Sequence, residues 1–301
     1  MIIQHFLSLN DFSKETIICL LERANFLKNQ YRAGVSIETL KGKVLAMIFE
    51  KASTRTRVSF EAAMNQLGGN AIFLNSTDSQ LSRGETPEDT ARVISQMVDA
   101  IMIRTSFHKK IELMAENSQK PVINGLSDTG HPCQLLADLM MIQKAFGTLD
   151  EIKVAWIGDG NNVCQSYCEA AKIFGFQLDI ACPEGFEPDL TAVGTCKNIK
   201  ILRVPKEAVI NANVVTTDVF TSMGHEGEAD HRQLALLPYQ VTPTLLDCAR
   251  PSVIFLHCLP AHRGEEISDD LFDDVRTLSV WEQAGNRLHA QKALLERLIL
   301  G

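Results

Sequence analysis

Short apolar runs recur along this 301-residue chain, and between many of them lie segments with helical spacing. One set of runs falls at 44–49, 71–74, 100–104 and 121–123, and a second at 153–157, 178–181, 199–204, 214–217 and 253–256. Continuous apolar runs of this length read as strands buried on both faces. Among the intervening segments, Phe60, Ala63, Met64 and Leu67 form one i, i+3, i+4, i+7 face, which ends at Gly68-Gly69. Such alternation predicts an α/β fold, with mostly parallel sheets flanked by helices. A helix at 133–146 followed by the polar segment GTLDEI separates the two sets, implying domains at 1–142 and 149–278, with 279–301 as a closing helix that could pack back on either half.

Composition removes several classes of function. At 45% hydrophobic and 22% charged residues the chain reads as an ordinary globular protein. A net charge of -8 argues against a general nucleic-acid surface, so any anion must be caught by a local arrangement. No apolar run approaches the roughly 20 residues of a membrane span, and the opening MIIQHFLSLNDFSKE has no signal or transit pattern. Eight cysteines, at 19, 133, 164, 168, 182, 196, 248 and 258, show no C-x-x-C and read as reduced thiols of a cytoplasmic protein.

Ligands of open α/β sheets sit beyond the carboxyl ends of the strands. After the first run comes Ser53-Thr54-Arg55-Thr56-Arg57. Ser53 is a good N-cap, and the first-turn N–H groups, the hydroxyls and an arginine together suit a phosphate. The plainer alternative is a capped helix with an Arg57–Glu61 surface pair. Arg104 ends an otherwise apolar run, either solvated or aimed into the crevice. His131 stands before Pro132, a favoured first helical residue, with Gln134 in the first turn. Both His131 and Gln134 can donate to a carbonyl oxygen.

In the second half, GDGNNV resembles a dinucleotide turn but fails the test. Val163 stands where the third glycine belongs, and Asp179 lies inside its strand. Polar strand ends recur at Asn161-Asn162, at Asp218 to Ser222 within TTDVFTSMG, and at His257-Cys258 within HCLPAHRG. The segment SMGHEGE has the polarity and glycines of a mobile lid. Cys258 alone reads as a buried structural thiol. No Cys–His pair has metal-ligand spacing, so neither metal nor cofactor is expected.

Taken in order, FEKASTRTR, HPCQ, DVFTSMG and HCLP resemble the ornithine carbamoyltransferases of the aspartate/ornithine carbamoyltransferase superfamily. The likeness runs from HFLSLNDFS to NRLHAQKALL, and HPCQ, SMG and HCLP together point to ornithine as acceptor. The resemblance implies a transferase that makes citrulline and phosphate from carbamoyl phosphate and L-ornithine in arginine metabolism. By the same resemblance, Ser53, Thr54, Arg55 and Thr56 hold the phosphate. Arg104 and His131, with Thr56, bond the carbonyl oxygen, Gln134 orients the carbamoyl amide, and Arg287 of the last helix closes that pocket. That helix then crosses back to the first domain. Asn162, Asp218, Ser222 and Met223 bind the amino-acid end of ornithine, and Cys258 and Leu259 sit near its δ-amine. Arg55, Arg104, His131 and Cys258 are the catalytic set. The polar loop NSTDSQLSRGE, on sequence alone a surface excursion, implies by resemblance a reach into a neighbouring subunit. Gln80 would then complete that neighbour's carbamoyl-phosphate site, in a homotrimer or a multiple of trimers. A relative with another acceptor and a non-catalytic phosphate-binding paralogue remain open at the level of sequence.

Overall fold

The computed structural model describes all residues except 1–2, 76–79, 192–193, 195 and 222–228. The chain forms two compact units, Met1–Ala137 with Asn286–Gly301, and Asp138–Gly285.

In the first unit, β1 (Val44–Phe49), β2 (Asn70–Asn75), β3 (Ala100–Arg104) and β4 (Val122–Leu126) make a parallel sheet of order β2-β1-β3-β4. The inner strands are buried almost throughout, whereas the edge strand β2 alternates with exposed positions. Ala46, Ile48, Ile101, Ile103 and Val122 pack one face against Ala91, Ile111 and Met114 of the helices α3 (Pro87–Ile94) and α4 (His108–Asn117). The far edge of β4 is not bare. Phe6 donates its N–H to Val122 O at 2.9 Å and accepts from Asn124 N at 2.9 Å, which shields an otherwise open sheet edge.

In the second unit, β5 (Lys153–Ile157), β6 (Gln177–Ala181), β7 (Ile199–Leu202), β8 (Val214–Thr217) and β9 (Ile254–His257) form a parallel sheet of order β7-β6-β5-β8-β9. Ala155, Ile157, Val215 and Phe255 lie in its core with Val241, Ile267 and Val280.

Sequence and structure differ at several strand ends, for local reasons. Proline lacks an N–H, so β4 begins after Pro121 and instead continues through Gly125, where a side chain would collide with Met102 Sδ at 2.5 Å. β7 stops at Leu202 because Pro205 opens the short helix α7 (Pro205–Val209), with Val204 as its extended N-cap.

The other helices are α1 (Lys14–Arg32), α2 (Thr54–Gln66), α5 (Pro132–Phe146), α6 (Asn162–Phe174) and the short α8 (Ala229–Leu236) and α9 (Pro243–Leu246). The last, α10 (Leu278–Leu300), is shared. Val280 belongs to the second unit's core, and from Asn286 onward the helix belongs to the first unit. There Glu296 accepts Nε and Nη2 of Arg23 at 2.6 and 2.9 Å, and Asn286 Oδ1 accepts Lys28 Nζ at 2.6 Å. The closing helix therefore does pack back on the first unit.

Candidate active site

In the first sheet the chain leaves β1 for β2 on one side, while β3 and β4 lie on the other. The carboxyl ends of β1 and β3 thus flank a topological switch point, where diverging loops open a crevice. Register pairs Phe49 with Arg104 and Arg104 with Leu126. The turn after β1, the end of β3 and the turn after β4 are therefore side by side.

Ser53 caps α2 from an extended backbone (φ -156°, ψ 107°), its Oγ accepting the Thr56 N–H at 3.4 Å. Thr54, Arg55 and Thr56 fill the first turn, where backbone N–H groups lack intrahelical acceptors and the helix dipole favours an anion. Glu50 braces the turn: its N–H donates to Arg104 O at 2.9 Å, and its carboxylate accepts Thr105 Oγ1 at 2.5 Å and Lys110 Nζ at 2.7 Å. Sequence reasoning passed over Glu50. Its only signal was a lone acid inside a basic motif.

Arg55 and Arg57 lie about 200° apart around the helix, and their environments differ accordingly. Arg57 sits over the Phe73 ring at 3.8 Å and pairs with Glu61 at 3.4 Å, so the surface-pair reading holds for Arg57. Arg55 is half-buried and, among the described residues, has no ion pair.

Beside Thr56 lies a buried cluster. Arg287 of α10 donates Nη1 to Gln134 Oε1 at 2.7 Å and Nη2 to Thr56 Oγ1 at 3.4 Å, both neutral acceptors. Thr56, His131, Gln134 and Arg287 are each no more than 4% exposed. Burial first, then the charges of Arg287 and Arg104, hold the His131 imidazole well below its ordinary pKa. At neutral pH it is an uncharged ring between two guanidiniums. This arrangement can bind an anion or stabilise negative charge developing on an oxygen. Neighbouring Cys133 takes no such part. It donates its thiol to Asn124 O at 3.3 Å, and burial pushes its pKa to about 12. Gln80 opens a short 3-10 turn, Gln80–Arg83, with its side chain exposed.

The second sheet has its own switch point, between β5 and β8. Asn161 caps α6, its Oδ1 accepting the N–H groups of Val163 at 3.0 Å and Cys164 at 3.2 Å. Its Nδ2 spans the switch to donate to Asp218 Oδ2 at 2.7 Å. Asp218 Oδ1 accepts the Val219 N–H at 2.8 Å and the Cys258 thiol at 2.9 Å. The thiol that looked structural in isolation is thus half-buried against a carboxylate. Asn162 is the first residue of α6 and half-buried, while its neighbour Asn161 makes the bond to Asp218. Ser222 and Met223 lie outside the described residues.

His257 orders the turn that follows. Its Nδ1 accepts the Leu259 N–H at 2.8 Å, which leaves Nε2 to carry the proton and donate to Glu266 Oε1 at 3.1 Å. Leu259 is thereby held at φ 58°, a conformation few non-glycine residues adopt. Sequence reasoning noted His257 but missed Glu266, which lies nine residues on and is fully buried. Ligand atoms of Asp218, His257 and Cys258 come within 4.8 Å of one another, a proximity that spacing did not reveal. Both imidazole nitrogens are already engaged, however, so His257 has no lone pair to offer a metal in this arrangement.

The dinucleotide-like turn has a structural explanation. Gly158 has φ 116°, and a side chain on Gly160 would meet Pro188 N at 2.2 Å. Asp179 pairs with Lys153 at 2.7 Å inside the sheet.

The carbamoyl-P binding domain of the aspartate/ornithine carbamoyltransferases matches residues 4–144, and the Asp/Orn binding domain of the same proteins matches residues 150–298. The chain belongs to this family. It is 55% identical over 300 residues to the anabolic ornithine carbamoyltransferase of Pseudomonas aeruginosa, covering 99% of this chain and 98% of that one. It is 52% identical to the ornithine carbamoyltransferase of Halorhodospira halophila, covering 99% of each. Among solved structures, the Pyrococcus furiosus ornithine carbamoyltransferase superposes with a TM-score of 0.94 at 47% identity, covering 100% of this chain and 99% of that one. The Burkholderia thailandensis enzyme gives 0.91 at 43% identity, with 99% of each chain covered. Both sheet-edge clusters described above thus lie in a member of the carbamoyltransferase family: Thr56, His131 and Gln134 in the first matched domain, Asn161, Asp218 and Cys258 in the second, with Arg287 also in the second.

Proposed function

We propose that this chain transfers the carbamoyl group of carbamoyl phosphate to the δ-amine of L-ornithine, releasing citrulline and phosphate in arginine metabolism. The observation that carries the reading is the buried Thr56–His131–Gln134–Arg287 cluster beside the N-terminus of α2. The reading assigns carbamoyl-phosphate binding to residues 1–142, ornithine binding to 149–278, and closure of the first pocket to the helix 279–301.

The reaction forms a C–N bond from the amine to the carbamoyl carbon and breaks the C–O bond to phosphate. The N–H groups and hydroxyls of Ser53, Thr54 and Thr56, with the Arg55 fork, hold the phosphate and stabilise it as it leaves. Arg104, neutral His131 and Thr56 donate to the carbonyl oxygen, whose charge peaks in the tetrahedral transition state. Gln134 positions the amide, with Arg287 fixing its side chain. An alkylammonium has an ordinary pKa of about 10.4, so the amine must lose a proton before it attacks. Asp218, whose Oδ1 accepts the Cys258 thiol at 2.9 Å, is the acceptor for that proton, and Cys258 orients the amine and helps remove the proton. Leu259 is near the same amine, and Asn162, Ser222 and Met223 hold the amino-acid end. Positioning and electrostatics carry most of the rate.

The assembly that fits this reading is a homotrimer in the cytoplasm, or a multiple of it, with Gln80 donated across an interface. Mixing an inactive Gln80→Ala chain with an inactive Arg104→Ala chain, under subunit exchange, should restore activity. No recovery would leave Gln80 without a role in a neighbour's site. The function itself is tested by citrulline-type product formation with ornithine, putrescine, aspartate and N-acetylornithine. Ornithine should be preferred strongly; preference for putrescine or aspartate would overturn the acceptor assignment.

A further inference from the structure

Away from the sheet edge, the first unit contains a cavity of about 260 Å³ between the end of α1, the segment that follows it, the end of α2 and one face of α10. Leu27, Ile37 and Leu67 give it apolar walls, Asn65 and Gln66 give it amides, and Lys292 is its cation. Lys292 is only 4% exposed. Its Nζ lies 5.1 Å from the centre of the Tyr31 ring, a cation–π contact. Among the described residues it has no carboxylate partner. The acid one turn along, Glu296, is hydrogen-bonded by Nε and Nη2 of Arg23 and by Thr39 Oγ1 at 2.5 Å. Glu296 acts on Lys292 only through space; a buried ammonium with a ring and no hydrogen-bonded acid is costly, and a ligand anion would offset that cost.

We propose that this cavity is a binding site for a small organic carboxylate, whose anion pairs with Lys292 and whose apolar body lies against Leu27, Ile37 and Leu67. Three further observations agree. The Oε1 of Gln66 is buried without a hydrogen-bond partner, so an acid that also carries a donor group would satisfy it. The local field is positive: His289 on α10 is held down to about 4 by burial and by the charges of Lys292, Lys28 and Arg32. The volume is also suitable, because a cavity of about 150 Å³ already takes a benzene ring. The site is separate from the phosphate cradle. The two lie at opposite ends of α2, whose 13 residues span about 20 Å.

The test uses para-bromobenzoate and its neutral isostere para-bromobenzamide, with the proposed active site saturated by a phosphonate analogue of carbamoyl phosphate. Calorimetry should show the acid binding about tenfold or more tightly than the amide, the difference made by one charged hydrogen bond. Anomalous diffraction from the bromine should place the acid in the cavity beside Lys292 Nζ. Lys292→Gln should abolish the preference for the acid while leaving citrulline formation intact. Equal binding of acid and amide, or a bromine peak only outside the cavity, would overturn the proposal. The comparison of acid with amide needs no variant, so it stands even if Lys292→Gln folds poorly.

Discussion

At the edge of the first sheet the polar groups are donors: backbone N–H groups of α2, the guanidiniums of Arg55, Arg104 and Arg287, and a neutral His131. At the edge of the second sheet the central group is an acceptor, Asp218, bonded by Asn161 at 2.7 Å and by Cys258 at 2.9 Å. Both edges use the same device, a switch point in a parallel sheet. What differs is the sign of the charge placed there. Topology supplies a crevice, and the residue types at strand ends decide whether it suits a phosphate or an amine. The edges also differ in support. At the first, Arg287 of α10 ties Gln134 of α5 to Thr56 of α2, whereas the second relies on a turn held by His257 and Glu266.

The sharpest way to break this contrast is at Arg55. Arg55→Ala should weaken carbamoyl phosphate binding by roughly 2–5 kcal/mol, the usual loss for one partner of a buried charged hydrogen bond, with the fold retained. Arg57→Ala, which removes only a contact with Phe73 and Glu61, should change binding far less. Equal effects in calorimetry would erase the distinction between the two arginines.

A second test addresses the acceptor edge. Cys258→Ala should lower kcat/KM for ornithine by about 10²-fold, the lower range for a lost proton-transfer group, and shift its pH profile. Carbamoyl phosphate affinity should stay nearly unchanged. A variant with wild-type kinetics and reduced thermal stability would return Cys258 to a packing role.

The smallest effect concerns stability. His131 is held well below its ordinary pKa in the folded protein by burial and by Arg287 and Arg104, whereas in the unfolded chain it titrates near the ordinary 6.5. Between these values the unfolded state binds the extra proton, so this contribution is full above about pH 6.5 and is lost as pH falls below it. Denaturation at pH 7.5 and 5.5 should show His131→Gln losing roughly 1 kcal/mol less than the wild type. Identical losses would place the imidazole in a more solvated site.

Much of the donor edge was legible because it is written in short linear motifs. Ser53 to Arg57 announce a cap, hydroxyls and a fork within one helical turn, and His131-Pro132 marks a helix start. Parallel strands then bring their ends together automatically. What spacing alone could not separate was Arg55 from Arg57, because the choice depends on Phe73 of the neighbouring strand β2 meeting Arg57 beside Glu61. The acceptor edge was harder to read. Cys258 acquires its partner from a strand 40 residues away, and Glu266 shows its value only when His257 folds over it. Gly158 and Gly160 imitated a cofactor motif because a tight turn against Pro188 has the same steric need as a close phosphate.

The division between a donor edge and an acceptor edge is tested most directly by calorimetry of ornithine on the protein with and without a phosphonate analogue of carbamoyl phosphate. In the proposed reaction the two substrates must meet, so free ornithine, a cation, is opposed by the guanidiniums of Arg55, Arg104 and Arg287 until an anion brings negative charge to the first edge. The expected result is that the phosphonate binds the unliganded protein, while ornithine binds measurably only after it. Ornithine binding equally well to the unliganded protein would contradict the division.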